Sequence, residues 1–141
     1  MKINLKFYAT LLISIFMFSA FSFAQDQSKE ITFSITKKGD KFFTKNSQGQ
    51  KSIDFTITGI DTQEEMKAFI TKFKAIEGVL KFDVSSTSTN GSWSASATFL
   101  GRATKKYFGN VLVATGVKKI IIDGNVVNSE DLDKYSNKSN E

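Results

Sequence analysis

Three aspartates carry the first chemistry worth weighing. Asp54 sits in SIDFTITGI, Asp83 in VLKFDVSS and Asp123 just after KIII, each at a point where a strand or its turn would hold a carboxylate outward. Paired carboxylates are the groups of general acid and base catalysis. A solvated cross-strand pairing with Lys81 or Lys119 accounts for the same residues without any reaction. A second grouping is Asp61, Thr62, Glu64 and Glu65. Its carboxylates are hard-ion ligands, but calcium takes about six to eight oxygens and three acids in consecutive turns supply too few. Thr62-x-x-Glu65 is also a capping box, in which the hydroxyl and the carboxylate each satisfy an unpaired amide at a helix start. Asp61 and Glu64 suit the positive end of the same helix.

Composition removes most other chemistry. The 141 residues include no Cys, no His and no Pro. Thiolate and imidazole metal sites, disulfides, and Cys-His or Ser-His catalysis are therefore excluded. The glycine-containing loops match neither phosphate-binding fingerprint. The expectation is a chain that is not an enzyme and carries no cofactor.

The amino terminus reads as an address. MKINLKFYATLLISIFMFSAFSFA has Lys2 and Lys6, an apolar run from Tyr8 to Phe21, and a Ser22-Phe23-Ala24 end, the pattern of a secretory signal peptide over residues 1–24. The run is interrupted by Thr10, Ser14 and Ser19 and is short of the roughly 20 residues a bilayer needs, so no stable membrane anchor is expected after cleavage. Lys2 and Lys6 leave with it, and the formal net charge falls from +5 to +3. The exported product, periplasmic or secreted, is not expected to meet nucleic acid. A protein partner is the remaining class.

The elements that must position these residues follow from periodicity. ITFSIT and KFFTKN around Lys37-Lys38-Gly39-Asp40 predict an N-terminal hairpin extension over residues 25–51, covering a sheet edge. Ile53, Phe55 and Ile57 alternate with Asp54, Thr56 and Thr58, the period of a half-buried strand. Met66, Phe69, Ile70, Phe73 and Ile76 fall at helical spacing up to Gly78. Leu80, Phe82 and Val84 should point inward on the next strand. Asn90-Gly91 marks a tight hairpin, after which Trp93, Ala95, Ala97 and Phe99 face the core. That sequence and Asn137-Lys138-Ser139 also fit the glycosylation acceptor pattern. TKKYFGNVLVAT predicts a second helix, weakened at Gly109, and Lys118 to Ile122 a last strand. Residues 128–141 read as a flexible polar tail. The order over residues 52–127 is βαββαβ, which predicts an α+β, ferredoxin-like sandwich with a four-stranded antiparallel sheet and two helices on one face.

These residues resemble the heavy-metal-associated domains of copper chaperones and metal-transporting P-type ATPases. The likeness runs from Ser52 to Val126: a strand ending in Gly59-Ile60, a helix closed by Ile76-Glu77-Gly78-Val79, a hairpin, and a second helix ending in Ala114-Thr115-Gly116-Val117. The resemblance implies metal binding in a G-M-x-C-x-x-C loop after the first strand. Here the two cysteine positions hold Thr62 and Glu65. Monovalent copper selects thiolate and thioether ligands, and the only sulfur after residue 24 is Met66, in the helix's apolar stripe. The family's metal chemistry does not carry over.

The reading is thus an exported, non-catalytic binding or interaction domain without the family's ligands. The alternative is a metal-ion carrier or metal-homeostasis accessory protein using carboxylates or partner-supplied ligands; a third is a hydrolase working through the strand acids. The interaction face would be the uncovered side of the sheet, presenting Asp54, Thr56, Thr58, Lys81, Asp83, Ser94, Ser96, Lys119 and Ile121.

Overall fold

The computed structural model describes residues 29–39 and 41–135, so the expected signal peptide at 1–24, Asp40 and Asn137 lie outside the described residues. Alternation builds the first central strands. In β1 (Thr32–Ile35) Phe33 and Ile35 are buried, and in β3 (Lys51–Thr58) Ile53, Phe55 and Ile57 are buried. Between them lies a two-residue β2 (Thr44–Lys45). Helix α1 (Gln63–Lys74) starts at Thr62 with the capping box formed and buries Met66, Phe69 and Phe73. Strands β4 (Val79–Val84) and β5 (Trp93–Phe99) join through Asn90 and Gly91, whose φ values of 51° and 74° are those of the tight turn their types allow. Helix α2 (Lys105–Ala114), capped by Thr104, leads to β6 (Lys119–Ile122) and β7 (Asn125–Asn128).

The class is α+β, but the sheet is not the expected four-stranded antiparallel one. Its order is β4-β5-β3-β1-β6-β7, with β2 pairing β3. Strand β1 lies between β3 and β6, antiparallel to the first and parallel to the second. Phe33 pairs with Ile57 on one side and Ile120 on the other. The predicted N-terminal hairpin is therefore corrected: β1 and β2 do not pair with each other, and Lys38 and Lys41 form an isolated bridge between them. The physical reason is burial. A hairpin over residues 31–45 would leave Phe33 half exposed, whereas in the sheet centre it is fully buried and stacks on Phe55 at 4.4 Å. Burying one such side chain contributes about 1.5–3 kcal/mol.

Two smaller expectations also change. Leu80 is 47% exposed instead of inward, because Val79 pairs with Phe99 and Lys81 with Thr98, which makes Leu80 the extra residue of a bulge. The polar tail is ordered in its first part: Ser129–Lys134 form a 3-10 helix, η1, in which Leu132 is fully buried. It packs on α2, and Gly109 is the seat. A Cβ there would run into the Ser129 carbonyl oxygen. The glycine that weakens α2 locally is what lets η1 approach.

Both helices bury their apolar stripes on one side of the sheet. Phe73 stacks on Phe82 at 4.1 Å, and Phe108 of α2 meets Phe99 at 5.6 Å. Buried Trp93 donates its indole N–H to the Ile60 carbonyl at 2.9 Å.

Candidate functional site

The face opposite the helices is built by strand register. Cα partners share a face, so each row across the sheet can be followed residue by residue. Lys81 pairs with Thr98, and Thr98 with Ser52. Next comes Asp83, Ser96 and Asp54. The following row is Ser94, Thr56, Ser34 and Ile121. The last holds Thr58, Thr32 and Lys119. All nine face residues expected from the sequence are thus brought to one side. The alternation of β5 already turned Thr98 outward; the sequence reading missed Thr32, Ser34 and Ser52, and on β7 Val126 and Asn128, which pair with Ile121 and Lys119. The signal was present in Thr32, Ser34 and Thr36, which alternate with Ile31, Phe33 and Ile35 as β3 does.

The middle of this face is a depression of about 680 Å³ lined by Ser34, Thr36, Asp54, Thr56, Asp83, Ser85, Ser94 and Ser96, with parts of Phe55, Val84 and Ala95. Six of its lining side chains carry hydroxyls. Ser52 and Thr98 share a hydrogen bond of 3.1 Å across strands, and the Ser85 hydroxyl accepts from the Ser94 amide at 3.2 Å. The two carboxylates flank Ser96 on alternate strands, roughly 9.6 Å apart at the backbone. Each is engaged by a lysine: Asp54 by Lys38 at 3.3 Å and Asp83 by Lys81 at 3.0 Å. Asp123 does not join them. It sits in the β6–β7 turn and accepts from the Lys37 amide at 2.9 Å.

The second grouping is a helix start. Thr62 accepts from the Glu65 amide at 3.1 Å, and the Glu65 carboxylate accepts from the amides of Thr62 at 3.0 Å and Asp61 at 3.1 Å. Hydrogen bonds from the Thr62 and Asp61 amides, and then from the Thr62 hydroxyl, hold the Glu65 carboxyl below its ordinary value. Asp61 bonds Lys29 at 2.6 Å, and Met66 is buried in the core. These side chains are committed to the helix and its packing. Among the described residues, no three His, Cys, Asp or Glu side chains converge as a metal site, and no helix is long and apolar enough to cross a membrane.

Set against known proteins, the chain matches no family model, no curated protein and no solved structure.

Proposed function

We propose that this chain is an exported, non-catalytic binding domain whose hydroxyl-covered sheet face docks a partner protein. The observation that supports it is the row Ser94, Thr56, Ser34 and Ile121, continuous across four neighbouring strands on the side away from both helices. Short side chains let a partner's backbone approach closely, and their hydroxyls both donate and accept. No aromatic side chain belongs to these rows, so the face suits a polar, shape-matched contact more than a sugar ring or a base.

We read the fold as a ferredoxin-like unit, β3-α1-β4-β5-α2-β6, into which β1 has entered between the first and last strands. In this reading the loop resembling a copper-binding one has become a capped helix start. Metal carriage by carboxylates has no comparable support, because the Asp61 and Glu65 oxygens already face Lys29 and backbone amides.

The test is capture from an envelope extract of the exporting host by the immobilised chain. A species retained by the wild type and by Lys72→Glu on the outer side of α1, but lost with Thr56→Arg and Ser94→Arg, supports the reading. Equal retention by all four overturns it.

A further inference from the structure

A second cleft, on a different part of the surface, has the opposite electrostatic character. It has a volume of about 520 Å³ and lies where β2, the start of β3 and the start of α2 meet. Lys41, Lys45, Lys51 and Lys105 line it, and Phe42 and Phe43 form its apolar wall. Among the described residues no carboxylate lines it, and none of its four lysines belongs to any of the six ion pairs. Two of the ammonium groups are oriented by neutral oxygens: Lys51 donates to the Ala103 carbonyl at 2.6 Å and Lys105 to the Tyr135 carbonyl at 2.7 Å. Those bonds fix position without neutralising the charge, and the Lys51 ammonium also lies 5.7 Å from the centre of the Phe43 ring. The aromatic wall packs onto the core. Phe42 and Phe43 meet edge to face at 4.8 Å, and both rest on Phe108, at 5.9 and 6.2 Å.

We propose that this cleft binds a small organic anion, its charged head held by the lysines and its apolar part lying against Phe42 and Phe43. The volume is in the range of small-molecule sites, about 300–1,000 Å³. Four like charges gathered at a concave, partly apolar surface raise the local potential and favour an anion. The same arrangement is a poor seat for a cation. The head group is a carboxylate, sulfate or phosphate, for which lysine is a point-charge partner. The cleft shares no lining residue with the hydroxyl face, so this proposal stands or falls separately from partner docking.

The test is amide NMR on the purified chain, titrated with benzoate, phenyl sulfate and phenyl phosphate at constant ionic strength, with benzyl alcohol as the neutral control. Saturable shifts at Lys45, Lys51, Thr104 and Lys105 with at least one anion, and none with benzyl alcohol, are expected; the tightest of the three names the head group. Lys45→Gln and Lys105→Gln should each weaken that anion about tenfold, while Lys72→Gln leaves it unchanged. Should either variant lose its dispersed spectrum, exposed Lys41→Gln carries the same comparison. Absence of saturation with every anion, equal shifts with benzyl alcohol, or unaltered affinity in folded lysine variants would overturn the proposal.

Discussion

Asp123 holds Lys37 twice. Its carboxylate accepts from the Lys37 backbone amide at 2.9 Å and lies 3.5 Å from the same residue's ammonium group. The Asp123 amide in turn donates to the Ile35 carbonyl at 3.0 Å. The end of β1 is thereby fastened to the turn between β6 and β7. Asp123 does this at a φ of 49°, a conformation that Asp and Asn tolerate better than most residues. Asp123→Ala should therefore cost about 2 kcal/mol, from a lost charged acceptor and a strained turn. Asp123→Asn keeps an acceptor and the backbone preference and should cost about half as much. Urea unfolding of both variants gives the comparison; equal losses would show that the neutral acceptor and the turn preference contribute nothing and that the whole effect is the carboxylate's charge.

Gly109 provides a test in which propensity and packing disagree. Alanine inside a helix is favoured over glycine by about 1 kcal/mol. Because a Cβ at this position would meet the Ser129 carbonyl oxygen, Gly109→Ala should instead destabilise the chain by about 1–3 kcal/mol. Amide exchange around Leu132 should speed up as η1 is displaced. A more stable Gly109→Ala variant would mean that η1 contributes little to the fold.

The capping box sets a pH dependence. The Glu65 carboxyl titrates below its ordinary value of 4.5 when folded, through the amides of Thr62 and Asp61. A lowered folded value means that the contribution is complete above the ordinary value and is lost as pH falls through the lowered one. Stability should decline on that acid side, and Glu65→Gln should flatten this part of the decline. Thr62→Ala removes the other half of the box and should cost about 1 kcal/mol at neutral pH. Urea midpoints of wild type and Glu65→Gln, compared from about pH 6 to about pH 2, check the sign; parallel curves would rule out the box as a pH-dependent contributor.

The position of β1 makes a deletion informative. Removal of residues 25–36 takes away the strand that pairs both β3 and β6. Such a chain should lose its cooperative thermal transition altogether. A covering hairpin at an edge would have left a folded, more sticky domain. Circular dichroism with light scattering separates these results, and a cooperative melt in the deleted chain would contradict the central placement.

Legibility in the sequence followed the range of the forces involved. Strands β3 and β5 and both helices were readable because their apolar period is local and each buries one face. Thr62 and Glu65 announced the start of α1 by spacing alone. What was not legible was long-range choice. ITFSIT has a strand's period, but nothing in its neighbourhood says that Phe33 pairs with Ile57 and Ile120 and not with the nearby KFFTKN. The bulge at Leu80 is a one-residue change of register on an edge strand, which leaves no mark in the pattern. In η1 a single apolar residue, Leu132, is buried among polar neighbours, so the segment reads as tail. The hydroxyl face was legible on β3 and β5, whereas its Thr32 and Ser34 portion was hidden by the same mispairing.

The parallel contact of β1 with β6 also governs when the fold can be completed. The first described strand waits for the last third of the chain, since Ser34 has Thr56 on one side and Ile121 on the other. Until β6 arrives, β1 has an open row of amides and carbonyls, and closing the intervening loop delays the pairing that fills it. A chain emerging from its amino-terminal end therefore stays incomplete until nearly all of it is available. A fragment ending before Lys119 would present the unsatisfied side of β1 to other chains, a template for aggregation that the finished sheet conceals at its centre.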